Sequence, residues 1–165
     1  THANYGGTIP WIGIHMVDLM RYVTGHDFTE TYSMQSVLDF GRTNTMESVT
    51  ASIFKLDNRG IGTLRMDYFR PKMAPTHGDD RMRVAGSKGV LEYMAATGIT
   101  LVTGDKAPET VRDLPARRHL FVEFLEHIYL GKPEPITWRD IERANYICLH
   151  AKRSAETGRA ERCAG

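Results

Sequence analysis

The chain has 165 residues, of which 41% are hydrophobic and 25% charged, as expected for a globular domain that can bury a core. Its 21 basic and 20 acidic residues leave a net charge of +1, so the charge balance gives no reason to expect nucleic acid or an anionic membrane as a partner. No apolar run approaches the roughly 20 residues of a membrane span. Cys148 and Cys163 do not form a disulfide framework, which favours a reducing compartment, and we expect the cytoplasm.

The first predicted element is a helix that follows a glycine-rich loop. Apolar residues recur near helical spacing at Ile12, Met16, Leu19 and Met20. The pair Thr24-Gly25 then supplies a helix stop, so we predict a loop followed by a helix that ends at Gly25.

From about residue 29 to residue 114 the hydrophobic period changes to two, which predicts strands. The runs 47–56 and 61–69 both alternate, and the turn signal at 57–60 between them predicts an antiparallel hairpin. In 47–56 the apolar residues Val49, Ala51 and Ile53 fall on one side, and small polar residues fall on the other. Further strands are predicted at 31–40, 81–86, 89–95, 98–103 and 109–114.

Two helices are predicted after the strands. The segment 117–130 carries one apolar stripe and ends at Gly131. The last helix begins with a capping-box-like pair, Thr137 and Asp140, and ends at Gly158. The order of elements predicts a single α+β domain over residues 1–165, with an open, mainly antiparallel β-sheet and helices packed on one face.

The sequence contains no complete motif for binding a nucleotide. The only G-x-G, at Gly60-Ile61-Gly62, opens a predicted strand and lacks the third glycine, although a dinucleotide site needs helix N-terminal amides facing the pyrophosphate. Neither C-x-x-C nor H-E-x-x-H occurs. His15 and Asp18 have a spacing that could chelate, but two ligands alone do not predict a metal site. We therefore predict no cofactor-binding residue and no metal in these residues.

His15 is the candidate for acid–base chemistry. Dehydrogenation of an alcohol needs a group that takes the hydroxyl proton, and imidazole, with an unperturbed pKa of ~6.5, suits that task near neutral pH. The residue type alone leaves open a second reading, in which His15 only packs or hydrogen-bonds at the start of a helix.

Three segments in order carry a resemblance to a known family: 6–25 (GGTIPWIGIHMVDLMRYVTG), 84–92 (VAGSKGVLE) and the closing helix from Pro133 to Gly158. Together they resemble the C-terminal domain of the Gfo/Idh/MocA oxidoreductases, NAD(P)-dependent enzymes that act mostly on sugars and polyols. The resemblance implies that His15 projects into the active site. It also implies that NAD or NADP is bound mainly by an N-terminal dinucleotide-binding domain, of the Rossmann type, absent from these residues.

The same resemblance implies an open sheet whose free face mediates assembly into a homodimer or tetramer. The small polar side of 47–56 is compatible with such a contact. One position departs from the family pattern, because many members have Asp four residues before the catalytic His and this chain has Trp11. An indole either offers a flat apolar face to a sugar ring or fills the core. Asp18, one turn after His15, is either a partner of that histidine or a helix-surface acid.

The segment 70–81 is a polar loop between two predicted strands. Its His77, Asp79 and Asp80 suit recognition of hydroxyl groups, and similar loops occur in relatives at this point, so we predict them as substrate contacts. The alternative is an exposed loop of solvated charges.

The sequence thus predicts the substrate-binding, catalytic-histidine domain of an NAD(P)-dependent oxidoreductase acting on a sugar, a polyol or a related hydroxylated small molecule. The 165 residues alone are not expected to be active. Two alternatives remain: a non-catalytic ligand-binding or oligomerisation module that retains the fold, and a stand-alone domain that works with a separate nucleotide-binding chain.

Overall fold

The computed structural model describes residues 5–38 and 45–163. The chain divides into two compact units, one made of Thr1–Phe69 with Ile136–Gly165 and the other of Arg70–Pro135. The last two residues of the predicted strand 31–40 lie outside the described residues. No described helix combines the length and the apolar character that a membrane span requires.

In chain order the elements are a π-turn (Ile9–Gly13), α1 (Ile14–Thr24), β1 (Phe28–Ser36), β2 (Val49–Leu56), β3 (Ile61–Asp67), β4 (Arg81–Gly86), β5 (Gly89–Met94), β6 (Gly98–Thr103), β7 (Glu109–Val111), α2 (Leu120–Leu130), α3 (Trp138–Thr157) and β8 (Glu161–Arg162). The predicted helix stops at Gly25, Gly131 and Gly158 are confirmed. Among the strands of the described residues, only β8 was missed, because two residues are too few to show a period.

The first unit contains an antiparallel sheet with the strand order β3-β2-β1-β8. The predicted β2–β3 hairpin is confirmed, and its turn places Arg59 in the left-handed region at φ 72°. A core of mostly apolar residues joins α1 and α3 to one face of this sheet: Ile9, Val17, Phe28, Phe54, Leu56, Ile147, Cys148, Ala151 and Cys163. Within it the rings of Phe28 and Phe54 stack with centroids 4.7 Å apart.

The predicted capping box at the start of α3 is also confirmed. The backbone N–H of Asp140 donates to the Thr137 hydroxyl at 3.2 Å, and the backbone N–H of Thr137 donates to the Asp140 carboxylate at 3.1 Å. The Thr137 hydroxyl also donates to the Asp140 carboxylate at 2.6 Å, and this bond above all, with the one from the Thr137 backbone N–H, lowers the pKa of Asp140. Arg21 of α1 lies 3.7 Å from the same carboxylate, so the cap also ties α1 to α3.

The face that β2 presents to the core is the reverse of what the sequence suggested. The small polar side is buried, at Thr50 and Ser52, whereas Ala51 and Ile53 are exposed. Assigning the small polar side to the free face is therefore wrong. The physical reason is that Phe54 and Leu56 share this side of the strand and pack into the core. The Ser52 hydroxyl is buried with them at little cost, because it is paired with the Ser33 hydroxyl of β1 at 2.8 Å.

The second unit is built on a second antiparallel sheet, β4-β5-β6-β7. Gly89 in the β4–β5 turn is required sterically, since a Cβ there would lie 2.3 Å from the carbonyl oxygen of Val102. No described residue of this unit is fully buried. The apolar stripe of α2 is exposed, to 71% at Phe121, while the acids of the opposite side form ion pairs such as Lys132–Glu126 at 2.9 Å.

The α+β class with open antiparallel sheets and helices is confirmed. The strands divide between two four-stranded sheets, where a single sheet was expected. The 68–80 segment between β3 and β4 contains Pro71 and Pro75, which cannot donate to a strand ladder. That composition favours a break in strand pairing there. The assignment of residues 1–165 to one domain stays a prediction.

Candidate active site

The helix that carries His15 does not begin as a regular α-helix. Its first five residues, Ile9–Gly13, form a π-turn that runs directly into α1. Gly7, at φ 108°, provides a left-handed entry, and its carbonyl oxygen accepts the backbone N–H of Trp11 at 3.0 Å. At the other end, a Cβ on Gly13 would lie 2.9 Å from the methyl group of Met66 on β3. Such π-turns occur frequently at functional sites, and the periodicity of the sequence did not reveal this one.

Trp11 and His15 are both exposed on this helix, four residues apart. The indole of Trp11 is 65% exposed, so this side chain does not fill the core. Its described ring neighbour is Tyr5, whose centroid lies 5.8 Å away at a tilt of 54°. Within the described part of the first unit, no side chain makes a hydrogen bond or an ion pair with the imidazole of His15. The arrangement offers an aromatic surface and an accessible acid–base group on one helix.

Asp18 lies beside a different partner. Its carboxylate is 4.0 Å from Arg21, which also pairs with Asp27 at 3.2 Å. The geometry is that of a helix-surface acid with a loose i,i+3 ion pair, and no hydrogen bond joins Asp18 to His15. A role for Asp18 as a partner of the histidine stays a prediction.

A buried polar cluster lies where the helix begins, and the sequence analysis missed it. The backbone N–H of Thr8 donates to Oε2 of Glu47 at 3.0 Å, and the Thr8 hydroxyl lies 2.9 Å from the carbonyl oxygen of Glu47. The Tyr5 hydroxyl is 2.8 Å from that of Thr8 and 3.2 Å from that of Tyr68. Burial above all raises the pKa of Tyr5, so its phenol keeps its proton. The sequence offers little sign of this cluster, because Thr8, two residues before Pro10, is its one member at a typical helix start. Glu47 belongs to no motif.

The predicted substrate contacts His77, Asp79 and Asp80 lie in one exposed loop of the second unit. Asp79 is bound by its neighbours, since Arg81 donates to it at 3.0 Å and Arg70 lies 3.5 Å away. The hydrogen bond from Arg81, together with the charges of the two arginines, lowers the pKa of Asp79. Inside the described second unit, no hydrogen bond engages the side chains of His77 and Asp80, which leaves their polar atoms available to solvent or ligand.

The six predicted site residues therefore fall into two groups. Trp11, His15 and Asp18 share one helix of the first unit, and His77, Asp79 and Asp80 share one loop of the second. Among residues 5–38 and 45–163, no three His, Cys, Asp or Glu side chains come together in a way that could hold a metal ion.

Comparison with solved structures shows many proteins of the same fold. A Thermotoga maritima protein assigned as an oxidoreductase superimposes with a TM-score of 0.92 at 34% identity, over 98% of this chain and 49% of its own. A second assigned oxidoreductase, from Erwinia carotovora atroseptica, gives 0.82 at 22% identity, over 94% and 49%. The aldose-aldose oxidoreductase from Caulobacter crescentus, complexed with glycerol, gives 0.80 at 20% identity, over 98% and 49%.

The chain thus spans about half the length of these relatives. A comparison with curated proteins found no match. The family model of the GFO/IDH/MocA C-terminal domain matches residues 1–92, more than half of the chain. This match, with the 34% identity to the Thermotoga protein, shows that the chain belongs to the C-terminal domains of the Gfo/Idh/MocA oxidoreductase family.

Proposed function

We propose that the chain is the substrate-binding domain of an NAD(P)-dependent oxidoreductase that oxidises or reduces a hydroxyl-bearing carbon of a sugar, a polyol or a related small molecule. The observation that carries this proposal is the pair formed by Trp11 and His15, both exposed on one helix four residues apart. An apolar surface beside an acid–base group suits a ring that has one apolar face and several hydroxyl groups.

In this proposal His15 takes the proton from the substrate hydroxyl during oxidation and returns it during reduction. Positioned acid–base help of this kind is worth about 10²–10⁴ in rate. Trp11 stacks on the apolar face of the ring and orients the reacting carbon, a use of aromatic side chains that relies on their large flat surface. The carboxylate that many relatives have at position 11 is absent here, so the proton transfer rests on His15 alone.

The described residues do not fit the cofactor itself. The only G-x-G lies at the start of β3 and does not lead into a helix, so it offers no helix N-terminal amides to a pyrophosphate. NAD or NADP would supply the hydride chemistry and is proposed to be held mainly by a domain outside this chain. Support comes from a levoglucosan dehydrogenase that shares the fold, with a TM-score of 0.78 at 13% identity, and whose structure contains NADH and L-sorbose.

His77, Asp79 and Asp80 are the proposed substrate contacts of the second unit. Two of them, His77 and Asp80, have side chains that their own unit leaves free to hydrogen-bond a hydroxyl group. Asp79 is held by Arg70 and Arg81, and so also orders the loop.

The proposed assembly is a homodimer or tetramer of the full-length protein. Its contact surface would be the free face of the first sheet, which exposes large apolar side chains at Tyr32, Met34, Ile53 and Ile61. Soluble monomers rarely expose contiguous apolar patches of appreciable size, which favours an interface. The two cysteines of the chain are free thiols, as expected for the reducing cytoplasm, where we place the protein.

The test is His15→Ala in the full-length protein. Turnover with a responsive sugar or polyol should fall at least about 100-fold, whereas the affinity for NAD(P) should stay the same. His26→Ala is the matched control, because His26 is a partly exposed histidine of the same unit that pairs with Asp57 at 2.8 Å. Unchanged turnover in His15→Ala would show that His15 is not the acid–base residue.

The second candidate is a non-catalytic binding module, which the aromatic residue at position 11 favours. A panel of sugars and polyols, assayed for NAD(P)H formation, separates the two functions. Ligand binding without any hydride transfer would establish the module and reject the oxidoreductase.

A further inference from the structure

The helix that bears Trp11 and His15 begins inside a closed polar cluster. We call Tyr5, Thr8 and Glu47 the entry cluster. Thr8 is 1% exposed and Glu47 is 2% exposed, so neither group is accessible for contact with a substrate. Polar groups at such depth cost free energy unless they are paired, which makes their pairing scheme informative.

The hydrogen bonds of the entry cluster run in one direction, from Tyr5 to Thr8 and from Thr8 to Glu47. The single hydroxyl proton of Thr8 is directed to Glu47, whose carbonyl oxygen lies 2.9 Å and whose Oε2 lies 3.3 Å from the hydroxyl oxygen. The Tyr5 hydroxyl, 2.8 Å from the Thr8 oxygen, must therefore be the donor to it. The backbone N–H of Thr8 donates to Oε2 of Glu47 at 3.0 Å. Glu47 thus holds Thr8 through both its side chain and its backbone.

The contact between Glu47 and Thr8 lies at the N-terminus of the helix, where the helix's own hydrogen bonds stabilise it least. The first N–H groups of a helix have no partner within the helix, and Glu47 supplies one for Thr8 from the segment that leads into β2. An acid at a helix N-terminus also complements the helix dipole. The π-turn that follows is also stabilised by the hydrogen bond from the Trp11 N–H to the carbonyl oxygen of Gly7.

The position of the indole depends on this anchor. Trp11 is largely exposed and has the ring of Tyr5, another member of the entry cluster, as its aromatic neighbour. Its location is therefore set by the backbone of the π-turn and by Tyr5, and both are held through Thr8 and Glu47. His15 follows on the same continuous helix.

We infer that Glu47 is a positioning residue: by binding Thr8 it fixes the π-turn and sets where Trp11, and through it the substrate, stands relative to His15. The part that concerns substrate rests on the proposed function. The part that concerns Trp11 does not.

The first experiment reports on Trp11 directly. The full-length protein is labelled with 5-fluorotryptophan, and the ¹⁹F resonance of Trp11 is assigned by its loss in Trp11→Phe. Glu47→Ala and Thr8→Val should each shift or broaden this resonance. Glu47→Gln, which keeps an oxygen acceptor for the Thr8 N–H, should restore most of the wild-type signal. The control is Glu161→Gln, an acid of the same unit that pairs with Arg153 at 3.3 Å, and it should leave the resonance unchanged.

The second experiment measures kinetics on the same variants. Glu47→Ala and Thr8→Val should each lower kcat/KM by about 10-fold to 100-fold, the scale of a small misplacement of reacting groups, with the Kd for NAD(P) unchanged. In the double variant the two losses should not multiply, since both weaken the same junction between Thr8 and Glu47: Glu47→Ala removes the acceptor of the Thr8 N–H, and Thr8→Val removes the hydroxyl that bonds to Glu47. If Glu47→Ala does not fold, the comparison is made between Thr8→Val, which should show the loss, and Glu47→Gln, which should stay near the wild type.

The outcomes separate the inference from the proposed function. An unmoved Trp11 resonance in folded Thr8→Val overturns the inference, and a shifted resonance with unchanged kcat/KM overturns the part of it that concerns substrate. A wild-type protein that transfers hydride to no sugar or polyol overturns the proposed function instead. In that case the ¹⁹F comparison still decides whether Glu47 holds Trp11 in place.

Discussion

The backbone N–H of Ser33 in β1 donates a hydrogen bond to the side-chain hydroxyl of Ser154 in α3, over 2.9 Å. The neighbouring strand β8 pairs only with Glu30 and Thr31, so it ends before it can reach Ser33. Ser154 takes the place of the missing strand, and its hydroxyl donates a hydrogen bond to the carbonyl oxygen of Arg159 at 2.6 Å. One buried hydroxyl therefore completes the edge of the sheet and the end of the helix together.

Ser154→Ala should lower the free energy of unfolding by about 1–3 kcal/mol, because it leaves a buried N–H without an acceptor. Urea unfolding followed by circular dichroism measures this loss. Thr157→Ala is the control, since the Thr157 hydroxyl bonds to Arg153 on an exposed part of the same helix, and it should change stability by less than about 0.5 kcal/mol. Equal losses in the two variants would contradict the assigned role of Ser154.

The two buried thiols should make the protein less stable at alkaline pH. Burial raises the pKa of Cys148 to about 12 and that of Cys163 to about 11, from a usual value of 9.0. Because both acids ionise first in the unfolded state, their stabilising contribution is complete below about pH 9 and is lost as pH rises toward the folded-state pKa. Each thiol can add a slope of up to about 1.4 kcal/mol per pH unit.

The measurement is the free energy of unfolding of the wild type and of Cys148→Ala/Cys163→Ala, followed from about pH 8 to about pH 10. The wild type should lose stability more steeply than the double variant, because only the wild type has thiols that can titrate. Parallel curves would show that the thiols do not titrate differently in the two states.

Ile53→Glu should dissociate the proposed oligomer without unfolding the protein. Ile53 lies opposite Tyr32 in the β1–β2 register, and both side chains are exposed on the free face of the sheet. A carboxylate in the middle of an apolar interface would lose its hydration on association, which is costly. Sedimentation velocity should show a smaller species for Ile53→Glu, and no change for Ser87→Glu in the β4–β5 turn. An unchanged species in both would place the interface elsewhere.

Replacing His77, Asp79 and Asp80 together by Ala should raise the KM of the full-length enzyme for its substrate and leave the Kd for NAD(P) unaltered. Asp79→Asn alone should act more weakly, because it removes the charge that Arg81 and Arg70 bind but keeps an oxygen acceptor. Steady-state kinetics with varied substrate provides the test. If the triple variant keeps the wild-type KM, the loop does not contact substrate.

Local signals in the sequence were sufficient for most of the fold. The β2–β3 hairpin, the Thr137–Asp140 cap and the glycine helix ends each depend on residues within a few positions of one another. The helix that carries His15 was predicted in the same way, because helical spacing and a glycine stop are short-range features.

Long-range contacts account for what was missed. The buried side of β2 is the side of Phe54 and Leu56, so the misassignment came from weighing only Val49, Ala51 and Ile53; the Ser33–Ser52 bond that pairs a hydroxyl on that side is a contact between strands, which the segment itself does not record. The contact of Glu47 with Thr8 spans 39 positions and joins two residues that belong to no motif. The π-turn is likewise invisible to a 3.6-residue period, since it arises from how the helix is held at its two ends.

Because of the π-turn, the angle between the side chains of Trp11 and His15 depends on the number of residues in the turn and not on their type. An extra residue is accommodated in this turn, and each residue of an α-helix advances by about 100°. A chain lacking Ile12 would keep α1 and the buried Val17, but the angle between its indole and its imidazole would change. Among related proteins, single-residue insertions and deletions at this turn are therefore the changes that would redirect the aromatic surface while both functional side chains stay the same.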